Sequence, residues 1–401
     1  MSLARFTPRA ATTGVFFVNG AIVGSWVAQI PWAQERFDLS KSLMGLVLLA
    51  MSVGVILAFP VAGQLIVRRG SRRMVALGGT FCCAALVPVL LMPEPALLAV
   101  ALFVLGTGSA TMDVSMNSHG VAVEKTLRRP IMSSLHAGWA FGGMFGAGFA
   151  AAGTVLDVDA RLVTATAAAL MLALLAACLR RIGAGSAAEG EAAPAFALPS
   201  RGVVVLAVIA FLVMITEGAM GDWGGIYLRQ DAGAAAGLAA LAFAAFAAGM
   251  TVGRLVGDAV THRFGPLAVL RGGALLTGIP LTAFLVLGTP GTGLIGLFLV
   301  GLGVANGVPL MFSAAGRQPD TPPGPGIAAV SSMGSLGFLA GPPVIGFLAD
   351  AISLPWALAS LILGAVVVFA LARRATGRTV PETEPHESNP RCEAYFEASV
   401  R

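Results

Sequence analysis

Charge is what this sequence most lacks. Of its 401 residues only 11% are Asp, Glu, Lys or Arg, where soluble domains carry about 25%, and 57% are hydrophobic. A water-soluble fold with this composition would expose large apolar patches, which excludes the ordinary globular classes. Lysine occurs only as Lys41 and Lys125. Cysteine is scarce and scattered: Cys82 and Cys83 adjoin inside an apolar run, Cys178 ends another, and Cys392 lies near the C-terminus. That spacing fits neither a disulfide framework nor a zinc site, so the four read as helix filler. There is no G-x-x-x-x-G-K-[ST] loop to bind ATP, no nucleophilic-serine elbow and no dinucleotide fingerprint, so no enzyme, cofactor or metal is expected.

What is present is a series of apolar runs long enough to cross a bilayer. They fall at approximately 10–30, 43–66, 74–92, 96–121, 131–153, 160–179, 202–228, 235–257, 267–288, 292–315, 327–349 and 355–373. The first follows Arg5 and Arg9 and superficially resembles a signal peptide. It is of spanning length with no A-x-A site after it, so it is read as a retained span. These runs predict an all-α integral membrane protein with 12 transmembrane helices in two six-helix bundles, at 1–179 and 202–373. A Gly-, Ala- and Glu-rich stretch at 180–201 is the expected cytoplasmic linker, and 374–401 the expected disordered tail.

A net charge of +5 and a pI near 9.5 could suggest nucleic acid, but the basic residues sit in short clusters between apolar runs. Arg68, Arg69, Arg72, Arg73, Lys125, Arg128, Arg129, Arg180, Arg181, Arg263, Arg373 and Arg374 all fall on one side. Only Arg36, Lys41, Arg161 and Arg229 fall on the other. The positive-inside rule then puts both termini in the cytoplasm of a multi-pass inner-membrane protein.

The two halves repeat each other. FVLGTGSATMDVSMNS (103–118) aligns with FLVGLGVANGVPLMFS (298–313), matching Gly106 to Gly301 and Met116 to Met311. SSLHAGWAFGG (133–143) aligns with SSMGSLGFLAG (331–341), and NGAIVGSW (19–26) with EGAMGDW (217–223) after one deletion. Three matches in the same order imply parallel halves with a site between them.

The loop after the second span reads Gly63-Gln-Leu65-Ile-Val67-Arg68-Arg-Gly70-Ser-Arg72-Arg73. It resembles the G-x-L-x-D-R-x-G-R-R signature of the major facilitator superfamily, with Val67 in place of the acidic residue. Gly253-Arg254-Leu-Val-Gly257-Asp258, followed by Arg263-Phe-Gly265, is a looser echo in the second half. DVSMNSHG, SSLHAGWAFGG and EGAMGDW are similar to a branch that includes the MosC-like, rhizopine-associated membrane proteins. The resemblance implies a secondary transporter whose spans 1, 4, 7 and 10 line a central cavity, and so names Asn19, Asp113, Glu217 and Asn306 as cavity candidates.

Ionisable groups inside a span cost roughly 2.5–3.5 kcal/mol on insertion scales and call for a reason. Asp113, Glu217 and Asp222 are the candidate proton-coupling groups, with Glu217 favoured. Asp222, about 140° further round the helix, shares its face only if the neighbouring glycines unwind it. Asn117 shares a face with Asp113, and His136 enters the next span from the same side. Both are candidate binding residues, although a hydrogen bond holding the two spans together is the alternative. Trp26 and Trp139 are candidate stacking partners for a solute, Trp26 and Trp223 equally candidate interface anchors. Arg254 and Asp258 are spaced for an i, i+4 ion pair. With Arg68 and Arg72 they are the candidate gating residues. Pro309 is expected to bend the tenth span, and Pro342 with Pro343 the eleventh.

The resulting expectation is a monomer exchanging a small polar solute, sugar-like, cyclitol or amine, by proton-coupled symport, with the lipid bilayer as its other partner. Proton-driven efflux of drugs or metabolites is the alternative, and a non-transporting sensor a third possibility that lacks the folded soluble domain it would need.

Overall fold

The computed structural model describes residues 7–127, 131–182, 203–318 and 323–377. Most of the expected linker and the tail beyond 377 lie outside the described residues, as do Arg128 and Arg129. The described residues form helices and short connections, with no strand among them. The N-terminal half comprises α1 (Pro8–Val27), α2 (Ile30–Phe37), α3 (Lys41–Arg69), α4 (Ser71–Val89), α5 (Pro95–Leu127), α6 (Met132–Val155) and α7 (Ala160–Leu179). The C-terminal half comprises α8 (Val204–Gln230), α9 (Ala236–Ala240), α10 (Ala242–Leu287), α11 (Pro290–Val304), α12 (Gly307–Ala315), α13 (Pro323–Ile352) and α14 (Leu354–Thr376).

Ten stretches among the described residues are long and apolar enough to span. One of them, Ala236–Leu287, has 52 residues, about 78 Å of helix rise against a hydrocarbon core of about 30 Å. It is broken at Gly265, whose φ of 79° and ψ of 159° lie outside any helical region. Gly70, between α3 and α4, has φ 79° and ψ 149°. A side chain is strongly disfavoured there, which explains the glycine in the loop signature and in its second-half echo. The two turns are one structure used twice.

Packing within each half repeats in the same way. Lipid tails are as apolar as the helices, so helices associate in a bilayer by close van der Waals approach rather than by hydrophobic exclusion. Gly106 of α5 lies against the Met51 carbonyl of α3, and Gly54 of α3 against the Phe103 carbonyl of α5. In the second half Gly301 of α11 meets the Phe246 carbonyl and Gly249 of α10 meets that of Phe298. All four pairs relate by one constant sequence offset. Gly142 on the Phe17 carbonyl and Gly337 on that of Phe211 are contacts of the same kind at the α1–α6 and α8–α13 crossings.

The halves differ in the tenth run, which α5 matches as one unbroken helix. Here it divides into α11 and α12 around Ala305 and Asn306. Pro309 supplies the cause, since its ring clashes with the carbonyl four residues back, that of Ala305. The outward faces are apolar, with Ile279 64% and Leu363 68% exposed, as a lipid-facing surface requires. Cys82, Cys83 and Cys178 are buried and unpaired.

Replacing Gly106 with Leu should drive a side chain into backbone that cannot move aside, costing about 1–3 kcal/mol. The melting temperature in detergent should fall clearly, whereas Gly63→Ala, with open space around it, should leave it within a degree or two.

Candidate functional site

A cavity of about 300 Å³ lies between the halves, walled by α1, α3, α5, α6, α8, α10 and α13. Its polar groups are Asn19, Ser52, Ser109, Asp113, Trp139, Glu217, Asp222 and Ser335. Met51, Met214, Met250, Phe59, Phe243, Phe246 and Phe338 make much of the rest of the wall.

All three expected carboxylates face this space. Glu217 and Asp222 do so from an unbroken α8, without the unwinding the sequence had seemed to demand. The cavity wraps an arc of the helix, and Gly218 and Gly221 between the two acids leave that arc bare. Glu217 lies 3.7 Å from Arg254 of α10, with the side chains 14% and 20% exposed. At this separation the contact is Coulombic rather than a hydrogen bond. An attraction of about 4 kcal/mol at an effective dielectric near 20 is set against several kcal/mol of desolvation per ion, so the pair is close to balance. Protonating Glu217 removes the attraction and leaves Arg254 alone. Arg254 therefore does not pair with Asp258, which is exposed one turn along.

On the other side of the cavity Asn19 is an organiser. Its amide nitrogen donates to the Ser109 carbonyl at 3.2 Å, and its carbonyl oxygen accepts from the Trp139 indole nitrogen at 2.8 Å. One buried side chain thus ties α1 to α5 and fixes the Trp139 ring at the cavity wall. Asn117 donates to the Asp113 carboxylate at 3.1 Å and to its backbone carbonyl at 2.9 Å, and stands outside the lining.

Four expected binding residues are placed elsewhere. Trp26 is fully buried among packed helices, because the face it shares with Asn19 has turned into the bundle by the outer turn of α1. His136 packs edge-on against Phe16 with ring centroids 5.4 Å apart, rather than against Asp113. Asn306 sits at the α11–α12 break, where its amide donates to the Gly253 carbonyl at 3.0 Å. It lines a separate pocket inside the C-terminal half, and neither α11 nor α12 reaches the central cavity. Asn117 is consumed by Asp113, as above. Among the expected gating arginines, Arg72 donates to the Leu179 carbonyl at the end of α7, and Arg68 is exposed. Val67 is 50% exposed and offers no carboxylate.

The contacts that close the seam between halves were not foreseen. Arg229 at the end of α8 pairs with Glu35 of α2 at 2.6 Å, and Gln230 donates to Gln34 at 2.9 Å. Asp350 at the end of α13 accepts the first backbone N–H groups of α3, from Lys41 at 3.0 Å and Ser42 at 2.9 Å. A carboxylate is well placed at a helix N-terminus, where free N–H groups carry partial positive charge. Gly346 packs on the Lys41 carbonyl beside it. An alanine contact joins Ala28, Ala147, Ala150 and Ala151 to Ala240 and Ala244. Among the described residues, every side-chain hydrogen bond and ion pair given between the halves lies at this α2 end. Lys41 and Arg229 counted in the sequence only toward orientation, and nothing in the spacing of these residues marks partners so far apart in the chain.

A cavity with three carboxylates between two repeated helical halves, closed at one end, is the architecture of a membrane transporter. The family model described as Major Facilitator Superfamily matches residues 11–323 and again 206–397. The chain is 34% identical over 368 residues to an uncharacterised MFS-type transporter of Yersinia pestis, across 92% of this chain and 96% of that one. It is 31% identical over 359 residues to membrane protein MosC of Rhizobium meliloti, across 88% and 86%. The chain belongs to the major facilitator superfamily. Its fold matches that of a bacterial homologue of the human lysosomal transporter Spinster, in an inward-facing and occupied conformation, with TM-score 0.73, 14% identity and 94% and 98% coverage. It also matches the fucose:proton symporter of E. coli, with TM-score 0.62, 19% identity and 92% and 98% coverage.

Asn19→Leu should strand the Trp139 indole N–H and the Ser109 carbonyl, lowering stability by about 1–3 kcal/mol and weakening solute binding. Asn306→Leu should leave the solute dissociation constant unchanged, since the residue faces another pocket. Calorimetric titration of both variants checks the contrast.

Proposed function

We propose that the protein is a secondary active transporter of the cytoplasmic membrane. It carries a small amine-bearing polar solute through the central cavity by alternating access, in proton-coupled symport. The observation that carries this reading is the trio Asp113, Glu217 and Asp222 around one cavity, with only Glu217 facing a fixed cation. Asp222 has no hydrogen bond or ion pair among the described residues, so it is free to take a positively charged group. Trp139, held by Asn19, offers a flat face for an amine or a ring. A purely sugar-like or cyclitol solute would find few hydrogen-bonding groups beyond the carboxylates and three serines.

Coupling follows from the Glu217–Arg254 balance. With Glu217 ionised, α8 and α10 are tied together; with Glu217 protonated, Arg254 is released and the carboxyl no longer resists enclosure. That the E. coli neighbour is by name a proton symporter supports the same reading. With the termini cytoplasmic, the α2 end faces outward. The Glu35–Arg229, Gln34–Gln230 and Asp350 contacts then form the outer gate of an inward-facing state, and they must part for the solute to enter from outside.

The methionine and phenylalanine content of the wall favours a second reading, proton-driven efflux of amphiphilic organic cations. A thermal-shift screen of polyhydroxylated amines, cyclitols and lipophilic cations on the purified protein separates the two, because only the efflux reading expects the lipophilic set to protect best.

Glu217→Gln should abolish proton-driven accumulation in proteoliposomes while equilibrium exchange continues; unchanged accumulation removes Glu217 from coupling. Joining Glu35→Cys to Arg229→Cys with a bifunctional reagent, in a background without the native cysteines, should stop uptake reversibly. Uptake that continues through the cross-link would show that this end does not open.

A further inference from the structure

The C-terminal half carries a second recess, away from the transport cavity and facing the lipid. It is about 630 Å³ and runs between the second segment of α10 and α14. Ala274, Gly278 and Ala365 form its floor, and Ile279 and Val366, 64% and 58% exposed, form its rims. From Ala274 to Leu287 it extends about 20 Å along the helix, more than the roughly 15 Å of one leaflet's hydrocarbon.

Its end nearest Gly265 is closed by Phe369, and the Arg271 guanidinium stacks over that ring at 4.8 Å from the centroid. Arg271 Nε is buried without a hydrogen-bond partner among the described residues. No Asp or Glu occurs on the second segment of α10, on α11, on α12 or on α14. Arg271 makes no ion pair among the described residues. It lies about 9 Å of helix rise from Gly265, in the half of the segment nearer the turn. Exposed Arg373 lies one turn beyond Phe369 on the same side of α14, and exposed Arg263 just before the Gly265 turn.

We infer that this recess is a binding site for an acidic phospholipid, with its phosphate on Arg271 and one acyl chain laid between α10 and α14. An arginine that only reached for water would leave its Nε accessible; here the Nε is buried and the guanidinium stacks on Phe369, the ring that closes the recess. Basic pockets between transmembrane helices suit anionic headgroups, and the apolar groove beneath supplies the chain's half of the site. A free anion would satisfy the arginine but not fill the groove.

Native mass spectrometry and thermal unfolding of the full chain in neutral detergent test this, with phosphatidylglycerol, phosphatidylcholine or sodium phosphate added. Phosphatidylglycerol should remain bound and raise the melting temperature, while phosphatidylcholine and phosphate should not. Arg271→Gln should weaken retention about fivefold, from a contribution of ~1 kcal/mol per basic residue. Gly278→Leu, which fills the groove and keeps the arginine, should weaken it as well. Equal retention of both lipids, equal protection by phosphate, or undiminished retention in Gly278→Leu would each overturn the assignment. If Arg271→Gln unfolds even in phosphatidylcholine, Gly278→Leu decides alone.

Discussion

Close backbone approach at glycine is the constraint on which the structure depends. In lipid a helix gains nothing by hiding apolar surface from a solvent that is itself apolar, so the bundles cohere where helices can come nearest. The α3–α5 and α10–α11 crossings achieve this with Gly54, Gly106, Gly249 and Gly301 set on the carbonyls of Phe103, Met51, Phe298 and Phe246 of the facing helix. Contacts of that kind need no polar side chains. Asn19, Asp113, Glu217 and Arg254 are thereby left for the space between the halves.

Polar ties are distributed accordingly. Within each half they fasten helices permanently: Asn19 to Ser109 and Trp139, Asn306 to Gly253. Between the halves they gather at the α2 end, and they are the kind that separate cheaply. The Glu35–Arg229 pair is 44% and 36% exposed, and pairs so wetted contribute about 0–1 kcal/mol. The Asp350 contact uses backbone N–H groups at an exposed helix start, which water can serve in its place. Meanwhile the loop signature at the opposite end presents Val67 where a carboxylate would otherwise stand, so that end has one fewer polar tie.

Much of the fold was legible because its signals are local. Apolar runs gave the spans, the aligned segments gave the repeat, and the Gly70 and Gly265 turns proved identical in conformation where the motif and its echo had suggested a match. The eighth and ninth runs adjoin at Gly265, where the turn is too tight to leave a gap between helices. Placement of side chains about a helix axis was less legible. Asp222 reaches the cavity because two glycines broaden the exposed arc of α8, and Trp26 leaves it because its side of α1 packs into the bundle while Val23 and Val27 keep the cavity face. Asn306 was assigned to the cavity by family resemblance, but Pro309 breaks the helix ahead of it and the residue turns to α10 instead. Partnerships such as Glu217 with Arg254, or Asp350 with the start of α3, join distant parts of the chain and leave no spacing to read.

The alanine contact of α1 and α6 with α9 and α10 has a mechanical consequence. Ala28, Ala147, Ala150, Ala151, Ala240 and Ala244 have no rotamers to exchange and no branches to interlock. The alanine faces add no interlocking branches of their own, and what interlocks at this seam is Met144, Leu241 and Phe243 packed beside them. In the alternating-access cycle proposed above, parting the halves at this end would then draw on small side chains and on the few charged contacts at the rim, none of which lines the cavity.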